Sequence, residues 1–570
     1  MTVVNIHSLS RRRCIFSASQ RPYSKSEPNQ LVPQSKVKHL SKTSVFEYLF
    51  AVGKTAVDKV PAIDLKDIVQ KFTRFDSKAV SANIKIGRNQ VKHEKDDSDN
   101  SVNAESSAST IQNVIGALWK SSERKQAIPK WKQKARPIVS KESIDARTKR
   151  IIHALARYRN DEDLLVQLDD FCQHLFAFPQ ARWVAVREGV TSLLLKVRES
   201  KSDTVIQSFV REALALVGYL DPPDAPGLRV LSLDGGGTRG VLIIRILELI
   251  EELTGRPTYQ NFDYICGVST GAILALLLGI HKKPLAECDY LYRKMGTQVF
   301  SRNRSDAISS LVRSHAYYDT LVWEKALQDS VGFEPMVKCT RSGFCPKVGV
   351  VSSVVNQDKA FPYIFRNYNL PPRHQSRYHG SSRHRSWEAT RASSAAPGYF
   401  SEFSLEDNVH QDGGLLTNNP TSIAIHEAKN LWPRSKIHCV VSIGTGRNQP
   451  LSTMEVAMPT GTSLKQKLVK VIDSATDTER VHNILHDLLP PRSYFRFNPY
   501  LTQVYGLDEV DPSRLDSMLR DVDMYLRKNE NKLKKCCDRL KVKRGRILRG
   551  LDWIEEKRIM HQPEVLRNHF

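Results

Sequence analysis

The sequence predicts an α/β domain on a mostly parallel sheet, preceded by a small α-helical module. Three observations carry this. After the break Asp221-Pro222-Pro223-Asp224-Ala225-Pro226-Gly227, short apolar stretches recur at Leu228 to Leu233, Tyr264 to Val268, Val348 to Val355, Tyr363 to Tyr368 and His438 to Ile443. Segments long enough for helices separate several of them, as expected for parallel strands joined by crossovers. The first two strands run directly into glycine-rich turns that lead into helices. Upstream, apolar residues return at helical spacing: Leu164, Leu165, Leu168, Phe171 and Leu175, then Val190, Leu193 and Leu194, then Val205, Phe209 and Leu216.

Taken from the N-terminus, residues 1–26 hold Arg11, Arg12, Arg13, Arg21 and Lys25, several serines and no acid before Glu27. This pattern is that of a mitochondrial presequence, the alternative being a basic disordered tail. Residues 27–141 read as a basic and polar region; Asp96 to Thr110 (DDSDNSVNAESSAST) is too poor in large apolar groups to offset its ordering entropy. Residues 142–222 make the helical module, punctuated by Pro179, Gly189 and Gly218, and its stacked amphipathic helices resemble armadillo-type repeats. The α/β domain is expected over 228–450 and a helical, basic extension over 451–570.

The chain has 570 residues and a formal net charge of +24, from 85 lysines and arginines against 61 acids. Such an excess points to an anionic partner surface. No nucleic-acid-reading motif accompanies it, so anionic lipid headgroups are the expected partner and nucleic acid is not. Nine cysteines, with no CxxC and no Cys/His spacing suited to zinc, argue for a reducing compartment; Cys339 and Cys345 are the closest to a pair. No apolar run is long enough to span a bilayer, which leaves a soluble or peripheral protein. No cofactor or metal is expected.

The chemistry lies in three short motifs. Gly267-Val268-Ser269-Thr270-Gly271 sits between a strand and an apolar helix, the arrangement of a nucleophile elbow that pushes a serine hydroxyl clear of the backbone. Asp234-Gly235-Gly236-Gly237-Thr238-Arg239-Gly240 ends the first strand and opens a helix. As G-x-G-x-x-G it also fits a dinucleotide site, but the ribose-binding acid expected at the end of the second strand is replaced by the elbow. Bare N–H groups from Gly235 through Gly240 at a helix N-terminus suit a developing oxyanion. Asp412-Gly413-Gly414 supplies a carboxylate followed by two glycines that allow it a close approach, and Asn418-Asn419-Pro420 makes a turn beyond it. A Ser-His-Asp triad remains a rival arrangement through His410, His426 or His438.

The order GGGTRG, GVSTG, DGG on one α/β domain, with Ala392 to Phe400 and Asn418-Asn419-Pro420 around the aspartate, resembles the patatin-like phospholipases. The resemblance covers roughly residues 140–560. It implies a patatin-like three-layer fold and a Ser-Asp dyad. In that dyad Ser269 is the nucleophile and Asp412 takes its proton, with Gly235, Gly236, Gly237, Thr238, Arg239 and Gly240 forming the oxyanion loop. Gly267, Gly271, Gly413 and Gly414 support the turns. The implied activity is calcium-independent hydrolysis of glycerophospholipid acyl esters, giving fatty acid and lysophospholipid. A lysophospholipase, triacylglycerol lipase or transacylase using the same dyad, or a membrane scaffold with an inert domain, are the alternatives. Arg567-Asn568-His569-Phe570 is not the Ser-Lys-Leu signal that relatives with a helical module often carry, so mitochondrion is expected over peroxisome.

Three cationic stretches are expected to meet the membrane: Trp119 to Lys141, Pro371 to Trp387 and Asn531 to Gly550. The second is expected to border the active-site mouth, and the third is expected to be a basic amphipathic helix in the interface.

Overall fold

The computed structural model describes residues 139–300, 318–448 and 477–561. The presequence expected at 1–26, nearly all of the polar region at 27–141 and the first cationic stretch lie outside the described residues, as does the C-terminal tetrapeptide.

Among the described residues five α-helices precede the sheet: Lys141–Ala156, Asp161–Ala177, Arg182–Arg187, Val190–Ser200 and Thr204–Val217. Ser140, Asn160 and Asp203 cap three of them by accepting backbone N–H groups of the first turn, each such cap contributing about 1 kcal/mol. Gly189 and Gly218 adopt φ of 78° and 85°, ending one helical path and opening the next. Leu155, Leu164, Leu168, Phe171, Leu194 and Val210 are fully buried in a core of their own. Val205, although in register with the apolar set, sits in the first turn of its helix and is half exposed.

The strands are β1 Leu228–Leu233, β2 Tyr264–Val268, β3 Lys347–Val354, β4 Phe361–Arg366, β5 His379–Ser381, β6 Phe403–Leu405, β7 Asn408–Asp412, β8 Ile437–Ile443, β9 Arg447–Asn448, β10 Tyr494–Phe497 and β11 Tyr500–Leu501. Nine of them form one sheet in the order β10-β8-β1-β2-β3-β4-β5, with the β6–β7 hairpin attached through β7 to β3; β9 and β11 pair separately. From β10 to β3 every pairing is parallel, and β4 and β7 run antiparallel to β3.

Helices cover both faces, which is why the central strands are buried almost throughout and largely apolar. Leu231, Leu233, Ile265, Cys439, Val441 and Ile443 point into one core with the helix Val241–Thr254. Leu228, Val230, Tyr264, Cys266, Val268 and Val440 point into the other with the helix Thr421–Leu431. The α-helical module followed by this three-layer α/β/α domain is the architecture expected from the sequence.

Two features of the C-terminal part differ from the expectation. The sheet does not end at 450: β10 pairs with β8 and buries Phe495 and Phe497. The helix Glu530–Lys541 is amphipathic, but Leu533, Cys536, Cys537 and Leu540 are buried in the core shared with β8. Its apolar face is occupied by the protein's own interior, whereas Ile547, the last apolar residue of the expected stretch, lies on a separate helix, Arg546–Met560, and is exposed. Among the described residues, no helix is long and apolar enough to cross a membrane.

Candidate active site

Strand β3 brings the two halves of the site together. β2 pairs with β3 until Val268 stands opposite Val351. β7 approaches along β3 from the other direction and ends with Asp412 opposite Ser352. The two strands therefore terminate head to head against consecutive residues of β3, and the residue after β2 is Ser269. Ser269 Oγ donates to Asp412 Oδ2 at 2.6 Å.

The elbow is strained in the way its sequence requires. Ser269 has φ 53° and ψ −119°, a region that non-glycine residues avoid unless the surroundings impose it. Tight flanks impose it here: a Cβ on Gly267 would lie 2.1 Å from the Gly271 carbonyl oxygen, and one on Gly271 would lie 2.3 Å from that of Leu233. Ser269 N–H donates to Ser393 Oγ at 2.8 Å, and Ser393 Oγ–H donates to the Val351 carbonyl at 2.6 Å. The Ser393 carbonyl in turn accepts Gly413 N–H, and the Ala395 carbonyl accepts Asp412 N–H. The end of the helix Ser386–Ser393 thus holds both arms of the Ser269–Asp412 pair.

Asp412 is 7 % exposed. Its Oδ1 accepts Gly414 N–H at 2.7 Å and its Oδ2 accepts the serine hydroxyl. Burial pushes its carboxyl up to about 6, with the Ser269 and Gly414 hydrogen bonds opposing the shift. A carboxylate so placed is ionised at neutral pH and more basic than an exposed one, which suits proton abstraction.

The glycine-rich loop stands beside the elbow, the Cβ of Ser269 lying 3.2 Å from where a Cβ on Gly235 would be. Of its six N–H groups, four are spent within the protein. Gly235 donates to the Asn418 carbonyl at 3.2 Å, Thr238 to the Leu507 carbonyl at 2.8 Å and Arg239 to the Gly236 carbonyl at 3.3 Å, while Gly240 closes the 3₁₀ turn Gly237–Gly240. Gly236 and Gly237 are the two whose N–H groups have no partner among the described residues. The loop is fixed from behind by Thr445 Oγ1–H on the Gly235 carbonyl at 2.7 Å and by the Tyr292 hydroxyl on the Gly237 carbonyl. Gly237 needs to be glycine: its φ is 60°, and a Cβ there would sit 1.9 Å from the Leu507 carbonyl oxygen. Arg239 folds its Nε–H back onto the Gly236 carbonyl at 3.2 Å, and burial lowers its pKa from the ordinary arginine value.

The three histidines of the rival triad are engaged elsewhere. His410 Nδ1 lies 2.8 Å from Ser352 Oγ, and burial pushes the imidazole down to about 4. His426 Nε2 accepts Arg377 N–H at 3.2 Å and lies 2.9 Å from Asn430 Nδ2; His438 Nε2 lies 3.0 Å from the Arg539 carbonyl.

Several supporting residues are absent from the sequence reading, among them Tyr292, Leu507 and Arg496, and Ser393 enters it only as part of the stretch Ala392 to Phe400, with no role. Arg496, in β10, reaches under the glycine-rich loop and pairs with Asp234 at 2.6 Å, both side chains being almost fully buried. One signal for it was available: an arginine alone among Tyr494, Phe495 and Phe497 marks a strand position where a buried charge needs a partner.

A serine elbow, a glycine-rich loop with unspent N–H groups and a facing aspartate thus meet on one three-layer α/β/α fold, the arrangement that patatin-like domains share. Residues 231–425 match the model of the patatin-like phospholipase family. It is 45% identical over 428 residues to the calcium-independent phospholipase A2-gamma of Oryctolagus cuniculus, covering 75% of this chain and 54% of the relative. To the protein of that name from Homo sapiens it is 42% identical over 513 residues, covering 89% and 64%. The cGAMP-activated phospholipase of Vibrio cholerae is 29% identical over 270 residues, covering 42% and 72%. The chain spans between about half and two thirds of the length of the two phospholipase A2-gamma proteins.

Proposed function

We propose that this protein is a calcium-independent phospholipase that hydrolyses fatty acyl esters of membrane glycerophospholipids through a Ser269–Asp412 dyad. The observation that carries the reading is the 2.6 Å hydrogen bond from Ser269 Oγ to Asp412 Oδ2, with the nearby histidines bonded elsewhere. Ser269 Oγ attacks the ester carbonyl as its proton passes to Asp412. The N–H groups of Gly236 and Gly237 stabilise the oxyanion, a donor of this kind being worth about 2.7–4 kcal/mol of barrier. Asp412 then protonates the departing lysophospholipid oxygen. Water, deprotonated by the same carboxylate, attacks the acyl-enzyme and releases the fatty acid. The similarity to the phospholipase A2-gamma proteins supports the substrate class.

Product analysis on phospholipids with two different acyl chains tests this reading. Wild type is expected to release fatty acid and lysophospholipid in equal amounts in the presence of a calcium chelator, and Ser269→Ala to release neither. A chelator-sensitive rate, or hydrolysis by Ser269→Ala, would overturn it. The carboxyl near 6 also sets a pH profile. Asp412 must be ionised to accept a proton, so kcat/KM is expected to fall tenfold per pH unit below about 6 and to be flat just above it. An acid limb near 4 would mean that burial does not raise this group.

Membrane contact belongs to the same reading, with anionic headgroups as the partner. In the stretch Pro371–Trp387, Arg383 is paired with Glu406 and His384 is buried against Tyr363, whereas Arg377 and Arg385 are exposed. Charge reversal at Arg377 and Arg385 is expected to weaken sedimentation with anionic vesicles, by roughly 1 kcal/mol per residue, and the same change at Arg383 less. The arginine-rich residues 1–26 support a mitochondrial location, which import of those residues fused to a fluorescent protein would test.

A further inference from the structure

Eight cysteines lie among the described residues, all as free thiols, and six of them are buried. The other two, Cys339 and Cys345, are only slightly exposed as residues, and their Sγ atoms are 3.1 Å apart. The dyad chemistry makes no use of them. Both sulfurs share one donor: Asn367 Nδ2–H reaches Cys339 Sγ at 3.2 Å and Cys345 Sγ at 3.6 Å, while Asn367 Oδ1 is held by Val348 N–H at 2.7 Å. A cavity of about 130 Å³ lies beside Cys345, lined also by Arg211, Thr340, Phe344 and Lys347.

We propose that Cys339 and Cys345 form a redox-active dithiol that reduces a hydroperoxide and is converted to an intrachain disulfide. The two sulfurs are electrostatically unequal. The Cys339 S–H donated to it, helped by Lys347 and Lys282, pulls Cys345 below the ordinary thiol value, whereas the dry surroundings of its own sulfur push Cys339 well above it. Cys345 is therefore the thiolate that attacks. Its sulfur bonds to the terminal peroxide oxygen, the O–O bond breaks and the other oxygen leaves, on protonation, as water or an alcohol. The product is a sulfenic acid. Cys339 sulfur then attacks Cys345 sulfur, the S–O bond breaks, and the departing hydroxide takes the Cys339 proton to leave as water. Two thiols lose two electrons in all, and one peroxide is reduced by two.

The disulfide would close the strap that joins the helical module to the catalytic domain. Arg211 of the helix Thr204–Val217 donates to the Thr340 carbonyl at 3.3 Å and to the Arg341 carbonyl at 2.6 Å, and Arg341 pairs with Glu212. Cys345 Sγ lies 3.5 Å from the Gly279 carbonyl, at the far end of the helical segment that starts after Ser269.

The test uses the full chain, hydrogen peroxide and thiol alkylation followed by tryptic mass spectrometry. Cleavage after Lys338, Arg341 and Lys347 separates the two cysteines, so a disulfide appears as two joined peptides. Wild type is expected to yield that joined species at peroxide doses that leave the six buried thiols alkylatable after denaturation, and dithiothreitol is expected to reverse it. Cys339→Ser is expected to stop at a dimedone-reactive Cys345, and Cys345→Ser to leave Cys339 alkylatable. Retention of both thiols in wild type, or pairing of either with another cysteine, would overturn the proposal. No readout here depends on lipid hydrolysis, so failure would leave the proposed phospholipase reading intact.

Discussion

Asp412→Asn is expected to lower turnover of an acyl ester by about 10²- to 10⁴-fold, the range for loss of a positioned general base, and at the same time to stabilise the fold. The two effects share one cause. Asp412 is buried beside the serine with two hydrogen bonds to its oxygens, and burial raises its carboxyl from 3.8 to about 6. Between those values the folded protein holds a proton that the unfolded chain has released, so stability declines as pH rises through this window and stays lower above it. A shift of that size corresponds to a penalty on the order of 3 kcal/mol at neutral pH. Asparagine can keep the Gly414 N–H bond through Oδ1 and carries no charge to desolvate. Urea midpoints at pH 7.5 should therefore favour the variant, and the advantage should vanish near pH 3.8. A variant less stable than wild type at pH 7.5 would show that Asp412 is not held as a strained, reactive carboxylate.

How much of this site was legible in the sequence follows from the range of the forces involved. Gly267, Gly237 and Gly414 answer to local demands: a Cβ on Gly267 would lie 2.1 Å from the carbonyl oxygen of Gly271, Gly237 has a φ of 60°, and Gly414 gives its N–H to the Asp412 carboxylate two residues back. Local demands leave local motifs, so the elbow, the glycine-rich loop and the aspartate turn could be read without a structure. Which N–H groups remain free was not local. Thr238 is silenced by Leu507, 269 residues away in the chain, and Ser269 N–H is held by Ser393 at a separation of 124. The helix Glu530–Lys541 shows a different limit: an apolar stripe at helical spacing reads alike whether it meets a bilayer or a sheet, and here it meets the sheet. β10 was obscured because it is four residues long and Arg496 interrupts its apolar pattern.

Arg496→Met is expected to be the most destabilising of the single changes considered, by about 3–5 kcal/mol, the usual cost of removing one partner from a buried ion pair. Arg496 and Asp234 are 3 % and 1 % exposed and 2.6 Å apart. Even with that guanidinium in place, burial raises the Asp234 carboxyl to about 6, so removing the cation leaves a charge with almost no compensation. The damage should spread in two directions. Asp234 directly precedes Gly235, so a shift of its carboxylate would move the N–H groups of Gly236 and Gly237 away from the position an oxyanion occupies. On the other side, Arg496 also donates to Ser442 Oγ at 2.9 Å and pairs with Glu479, which Asn498 and Arg447 hold as well. Asp234→Asn combined with Arg496→Met should recover much of the lost stability, since neither charge is then buried alone. Denaturant midpoints for the two single variants and the double variant give the coupling energy directly. Equal midpoints for Arg496→Met and wild type would mean that β10 is held to the sheet by its aromatic residues alone and that the oxyanion loop does not depend on this ion pair.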